Sequence, residues 1–598
     1  MKTLIRIAWL LSFILLVSCS ERDHSIASRM HLAVEMFNSC GEIESYVREV
    51  RAEYEDAFSS TDRTPLAMEI QGASEDNSSL NIQEGSVDEP DRLRVGSKQI
   101  YFSHGNRITV MNRATLGIVG NLELGSWKKI EMFTDGDKLI ALGKVIEDYS
   151  ERVLVRSYAI RSATELPSLT SERGIAGKYV DARLFNGRVI LLTSGYISEG
   201  GIGDSVAGVD CSRVSVPLIR DLDFSYSRIS SLSTSDLNAS PSELGLMGLA
   251  DLLYVTSDSI YVVKNNSWWP GARDSMSALA KVTGLSDGNL LLRAVGVVKG
   301  QVKDRWALKE FSAQKAIAIA STYNEEGNRN QLAVLQENGE KLEEKAKVSN
   351  FGKNEDIRAV RYVGDMAYVV TFEKTDPLFA INLHDPMNPT LQGELEVPGF
   401  STYLHPVQGQ RLMGLGFDAT DMGSFSWFQG VKVALYDVHD PFHLAQIASN
   451  TLGSRGSYSE ATANPHAFYF DEHRQEAGFP IVEVSGGDGL GGYGQQIEFS
   501  GAVLYSAGSL SLKGRLTHAN WIPEDCKKTM AIPHWWQASG TSFDISRLAK
   551  VDGRLLSFSE FGWKQHSVDS PSNVVAELAF ISTMDTHKEC PQGNPYLY

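Results

Sequence analysis

From Ser86 to the end, the chain alternates short apolar runs with clusters of Gly, Asp and Asn; "KQIYFSHGNRITVMN", "DGDKLIALGKV", "NGRVILLTSGY", "GDMAYVVTFE" and "DGRLLSFSEFGW" are examples. Each run is rich in Val, Ile, Leu, Tyr or Phe, which fit a pleated, half-buried surface, and each is bounded by residues that supply tight hairpin turns. Convincing long helices are absent from this region. The pattern persists for 513 residues (598 − 86 + 1), well beyond the roughly 250–300 residues that one core sustains. Hairpins repeated over that length predict a radial array, in which four-stranded blades circle an axis and leave few exposed edges. The expected fold is all-β, a β-propeller over residues 86–598 with about eight four-stranded blades, seven or nine being the alternatives.

Two earlier segments depart from the strand pattern. Ile43, Tyr46, Val47, Val50 and Tyr54 recur at helical spacing, with Ser39 available as a cap before Glu42, which predicts a short helix. From Ser59 to Gly85 small polar residues dominate, so residues 20–85 are expected to hold the helix and a flexible tether. The first 19 residues carry Lys2 and Arg6 and then an apolar run from Ile7 to Val17, the length of a signal-peptide core and short for a membrane span. The run closes on "LVSC", which resembles the bacterial lipobox and makes Cys19 the expected site of acylation; an ordinary signal peptide cut nearby is the alternative. Several acyl chains hold a protein at a membrane durably. Ser20, where an Asp would signal retention in such lipoproteins, implies passage to the outer membrane if the source is Gram-negative.

One short motif occurs twice. "FAINLHDPMNP" spans Phe379 to Pro389 and "VALYDVHDPFH" spans Val433 to His443, offset by 436 − 381 = 55 residues. Asp or Asn, His and Asp-Pro in this order suit a strand that ends in a defined turn, since Asp accepts backbone N–H groups and Pro fixes φ. A copied turn marks a blade edge. His439 and His443 are four apart, but Pro441 between them opposes the helix that would place both on one face as metal ligands.

Charge and cysteines narrow the function classes. Lys plus Arg number 56 against 74 for Asp plus Glu, a formal balance of −18 that disfavours nucleic acid and anionic lipid headgroups. Beyond Cys19, Cys40, Cys211, Cys526 and Cys590 allow three disulfide connectivities in an exported protein. The preferred one joins Cys526 to Cys590 in the tail and Cys40 to Cys211, pinning the N-terminal segment to the body, with free buried thiols as the alternative. No Cys/His zinc spacing occurs, no metal is assigned and no cofactor is identified.

Few residues stand out as chemistry. Asp88, Glu89 and Asp91 lack the calcium-loop pattern and read as a solvated turn. Asp376, His405 and His466 are candidates for an axial or loop site, His405 and His466 as base or ligand, against the plainer role of histidines hydrogen-bonded within a blade. "SGGDGLGGYGQQ" has phosphate-loop composition without its order, and there is neither GxSxG nor HExxH. The pairs Trp268 and Trp269, Trp427 and Phe428, and Trp535 and Trp536 fall in loops by their flanks and suit binding to a protein or a glycan, unless the rings fold under their own loops.

Longer blocks resemble a known family. "SCGEIESYV" at Ser39, "SVDEPDRLRVGSKQIYF" at Ser86, "GKYVDARLFNGRVILLTSGY" at Gly177, "LLYVTSDSIYVV" at Leu252, the block from Glu355 to Pro406 and "GSRGSYSEATANPHAFYFDEHRQEAGFPIVEV" at Gly453 are similar to the secreted bacterial and archaeal β-propeller family described as distantly related to WD40 repeats. The sequence departs from that pattern at Pro90 and Arg92 and in the late region from Thr517 to Gly540. The resemblance implies a propeller and carries over no reaction or catalytic residue. The expectation is a lipid-anchored, exported, non-catalytic binding or scaffold module at the bacterial cell envelope. Its partner would be an envelope protein or glycan, with no nucleic acid and membrane contact through the anchor alone. The alternative is an envelope hydrolase or metal-dependent enzyme with its site at the propeller axis.

Overall fold

Alternating apolar runs and turns fold into antiparallel meanders, each winding outward from an inner strand. The computed structural model describes residues 31–58, 82–147, 150–197, 205–219, 224–266, 275–286, 288–372, 376–422, 426–489, 491–494, 496–521 and 544–580. Cys19, Trp268, Trp269, Cys526, Trp535, Trp536 and Cys590 lie outside the described residues, as does the side chain of Asp376. Among the described residues the strands form nine blades, at 93–123, 128–176, 178–247, 252–299, 308–351, 356–397, 400–452, 469–516 and 547–579. Blades 4 and 5 are joined along their outer edges by a short parallel pairing, Val295 with Lys341 and Gly296 with Leu342.

The count is nine, the upper of the expected alternatives, rather than eight. Two features obscure it in the sequence. Blade 3 carries an insertion between its second and third strands, including a small hairpin and the edge strand Val214–Ser215. The leading edges of blades 5 and 8 are interrupted by 3₁₀ turns, Arg305–Ala307 in one and Glu460–Thr462 with Pro465–Ala467 in the other. Averaged over the ring, 487 residues (579 − 93 + 1) divided by nine gives about 54 per blade, close to the 55-residue offset of the repeated turn.

Between blades the faces bury continuous apolar layers, each fully buried Leu, Ile or Phe contributing about 1.5–3 kcal/mol. Closure of the ring uses the same device. Leu93, Ile100 and Phe102 of blade 1 pack with Leu556, Phe558 and Trp563 of blade 9, reinforced by Arg113 and Asp552 at 2.7 Å. No strand is exchanged between the two: each is built from contiguous sequence.

The expected helix stands at Cys40–Phe58. Ser39 Oγ accepts the Glu42 backbone N–H at 3.3 Å and the Glu42 carboxylate accepts the Asn38 backbone N–H at 2.9 Å, a capping box whose return bond is displaced by one residue. Its apolar side, Ile43 and Val47, packs on Ile197, Val206, Val209 and Met247 of blade 3. Cys40 and Cys211 are disulfide-bonded, with Cα atoms 5.1 Å apart.

The two copied turns coincide bond for bond. Asn382 and Asp437 accept the backbone N–H groups of His384 and His439, at 2.7 and 3.0 Å, and Asp385 and Asp440 accept those of Met387 and Phe442, both at 3.0 Å. His384 and His443 are largely exposed and hydrogen-bond to Asp365 and Asp440. Gly393 explains how neighbouring copies fit together: a Cβ there would lie 2.2 Å from the Pro441 carbonyl oxygen of the next blade's turn.

Candidate functional site

Residues 82–92 do not continue the tether. They run along the inner strands of four blades, so Gln83 to Gly85, expected as the end of a tether, lie against the ring instead; residues 59–81 of the expected tether are outside the described residues. Gln83 Nε2 donates to the carbonyls of Arg305 and Leu308 at 2.7 and 3.1 Å, and Glu84 accepts from Tyr254 Oη at 2.7 Å. Asp88 exchanges backbone hydrogen bonds with Leu184, as Asp91 does with Met132. The segment therefore sweeps past blades 5, 4, 3 and 2 before entering the inner strand of blade 1. A wide ring leaves an axial gap, and this segment fills part of it.

The acidic stretch Asp88 to Asp91 forms the centre of the site. Its Glu89 and Asp91 are 1% and 0% exposed, the opposite of the solvated turn expected from sequence. Glu89 Oε2 accepts from Arg305 Nη2 at 2.6 Å and from His466 Nε2 at 2.8 Å, and Oε1 accepts the Gln83 backbone N–H at 3.1 Å. Arg305 and His466 approach to 3.0 Å because both donate to that one oxygen. Arg183 lies 3.9 Å from Glu89 and pairs with Asp181. Asp91 accepts from Arg547 Nε at 3.3 Å, and Arg547 also donates to Glu460 at 2.9 Å. Arg94 pairs with Asp88, and Arg92 donates to Glu560 at 3.3 Å. Groups from blades 1, 3, 5, 8 and 9 thus meet where only the ring axis lets them meet.

Burial sets the protonation states. It pushes the Asp91 carboxyl up to about 6 against the opposing pull of Arg547. The same desolvation, with Arg547 and Arg305 nearby, holds His466 well below its ordinary value, so its ring is neutral and donates through Nε2. Buried pairs of this kind confer geometry more than net stability, since desolvation offsets much of their attraction.

His405 is also at the inner wall, but it does not join His466. Its Nδ1 is hydrogen-bonded to Tyr403 Oη at 2.9 Å and its ring packs against Phe468 and Phe470. Burial, and secondarily Arg361, keep it neutral. Near Glu89, whose charge acts on it through space, the guanidinium of Arg361, on the inner strand Asp356–Val363, lies 4.5 Å above the Trp306 ring, and Trp306 meets Tyr403 edge-on at 6.3 Å. Among the described residues no group of three or more His, Cys, Asp or Glu side chains is placed to hold a metal ion.

Trp427 is in the strand Ser426–Asp437 rather than in a loop. It is half-buried, with the Arg455 guanidinium 4.2 Å from its ring centroid; Arg455 also covers Tyr493 and donates to its hydroxyl at 2.9 Å. Beside it Phe428, 40% exposed, packs against the tilted rings of Phe372 and Phe400 and stacks on Phe417. A separate cavity of about 30 Å³ between blades 3 and 4, lined by Leu246, Met247, Val262 and Lys264, has room for about one water.

Sequence reasoning missed the arginines of the axis. Each sits inside or beside an apolar inner-strand run, in "VDARLF", "KDRWAL", "RAVRYV" and "SRLAKV". An arginine within a run otherwise fit for burial was the available signal, because such a charge needs a buried partner.

The profile of the beta propeller domain family matches residues 77–570. The chain belongs to that family. Within reach of this propeller are two archaeal relatives. An uncharacterised protein of Archaeoglobus fulgidus is 25% identical over 484 residues, 66% of this chain and 74% of that protein. A second, from Methanocaldococcus jannaschii, is 33% identical over 179 residues, 30% of this chain and 27% of that one. Among solved structures, Kluyveromyces lactis Hsv2p shares 9% identity at a TM-score of 0.29, covering 61% of this chain and 99% of its own. A putative 6-phosphogluconolactonase of Bacteroides fragilis shares 11% at 0.29, covering 61% and 94%.

Proposed function

We propose that this propeller is an exported, lipid-anchored binding or scaffold module of the bacterial cell envelope, held through Cys19 and presenting its rim to an envelope protein or glycan. The observation that carries the binding reading is the ring cluster of blades 6 to 8, where Trp427, Phe428 and Tyr493 sit around Arg455 at the surface. Rigid aromatic faces beside a guanidinium bind protein side chains and sugar faces at low cost in conformational entropy. The Cys40–Cys211 bond fits an oxidising compartment, which supports export. No helix among the described residues is long and apolar enough to cross a membrane, so the attachment in this reading rests on Cys19.

Cross-linking in intact cells, followed by purification and mass spectrometry, tests the proposal with three forms: native, Cys19→Ala and Trp427→Ala. One partner recovered near stoichiometry from the native protein, and depleted in both variants, is the expected result. A partner set unchanged by either substitution removes both the anchor and the rim from the reading.

A further inference from the structure

The axial arginines are not equivalent. Arg94, Arg183, Arg305 and Arg547 each meet a carboxylate, on Asp88, Asp181, Glu89 and Asp91 respectively. Among the described residues none meets Arg361. Its Nη1 is sealed from solvent without a hydrogen-bond partner, although the residue as a whole is half-buried rather than buried. The flat face of its guanidinium is occupied by Trp306 at 4.5 Å. Trp306 is itself buried, and its indole N–H also lacks a partner.

Glu89 and Glu84 act on Arg361 only through space, and a sealed guanidinium N–H with no acceptor in reach is costly, so proteins keep such groups paired. Part of the Arg361 side chain meets solvent, since the residue is half-buried, and a small solute can reach it from that side. A guanidinium held flat by an aromatic ring presents its edge in a fixed plane, which is the arrangement that takes a carboxylate or phosphate through paired hydrogen bonds. Nearby Arg305 adds positive potential, part of it offset by Glu89. Tyr403, which meets the Trp306 ring edge-on, completes the wall.

We infer that the axis holds a binding site for a small oxyanion, a carboxylate or a phosphate, seated on the free edge of Arg361 over Trp306. The site lies away from the aromatic rim and does not depend on what the rim binds or on where the protein is anchored. The anion supplies the direct contact that Asp88, Asp181, Glu89 and Asp91 supply to the other axial arginines. Its binding also ties blade 6 to the turn that leads into blade 5, because Arg361 and Trp306 come from those two elements.

The test uses the full chain and thermal unfolding at constant ionic strength, with sodium chloride replaced stepwise by inorganic phosphate in one series and by acetate in another. The expected result is a saturable rise in Tm with one or both anions that is lost in Arg361→Met and weakened in Arg361→Lys, which keeps the charge but not the fork. A response to phosphate alone assigns the site to phosphate-bearing solutes, and a response to acetate alone to carboxylates. Should Arg361→Met fail to fold, the Lys variant carries the comparison, supported by Trp fluorescence titration. Two outcomes overturn the inference: neither anion exceeds chloride in the native protein, or the response survives intact in the Arg361 variants.

Discussion

Replacing Glu89 by Leu tests whether the buried acid organises the axis. The native carboxylate takes two charged or polar donors at 2.6 and 2.8 Å and a backbone N–H at 3.1 Å, at 1% exposure. Removing one member of such a buried pair costs roughly 3–5 kcal/mol, because the remaining charge has neither partner nor water. Arg183 keeps Asp181, so most of the loss falls on Arg305 and His466. Leucine fills much of the volume and creates no sizeable void, which keeps cavity formation a minor contribution. If charge isolation dominates, Glu89→Leu combined with Arg305→Leu costs less than the sum of the two single changes, by up to about 3 kcal/mol. Guanidinium chloride unfolding followed by tryptophan fluorescence and circular dichroism gives the three values. A Glu89→Leu cost below about 1 kcal/mol, or strict additivity of the pair, would refute the argument that this carboxylate is the counter-ion of the axis.

Acid should destabilise the ring. Burial lowers His104 to about 3 and His566 to about 4, and pushes His405, His466 and His518 in the same direction. Since the unfolded chain then binds more protons, stability present above pH 6.5 is lost as pH falls toward those values, by about 3 kcal/mol each for His104 and His566 at pH 4.5. Asp91, raised to about 6, opposes this over pH 6 to 4, its penalty disappearing as it protonates; the histidines outnumber it, so Tm measured from pH 7 to 4.5 should fall, and a flat profile contradicts the assignment. Serine at both Cys40 and Cys211 should free the helix while leaving the ring folded, seen as proteolysis between residues 40 and 58 with little change in the main transition; loss of the whole transition would show the bond to be global. Gly393→Val should cost roughly 1–3 kcal/mol by displacing the Pro441 turn, whereas a neutral result would mean that the turn is not packed as described.

Much of the fold was legible because it is written locally. Hairpin turns, inner-strand apolar runs and the helix with its Ser39 and Glu42 cap all depend on residues within a few positions of one another. The 55-residue offset of the Asp-Pro turns even contained the blade count, once divided into the length of the ring. The site was less legible because its partners are distant: Glu89 meets Arg305 and His466, and Asp91 meets Arg547. An acidic stretch beside a proline looks the same whether solvent or four inner strands surround it. His405 and His466 both lie buried at the inner wall, but their roles, one bonded to Tyr403 and the other to Glu89, depend on which strand faces which. Trp427 was assigned to a loop by its Ser and Gly neighbours, although pairing with Thr420 places it in a strand.

The position of the disulfide has a mechanical consequence. Tension applied at the N-terminus reaches Cys40 before it reaches residues 82–92, and Cys211 passes it into the outer part of blade 3. A covalent bond therefore carries the load, and the ion pairs of the axis carry none of it. With the bond reduced, only the backbone pairing of residues 31–37 with 214–218 and the packing of the helix on blade 3 would resist the same pull; once these gave way it would pass along the chain to Gln83 and Glu84 and peel the inner segment from one blade after another. The clip acts as a strain relief, separating whatever tugs on the leading end from the contacts that keep the ring together.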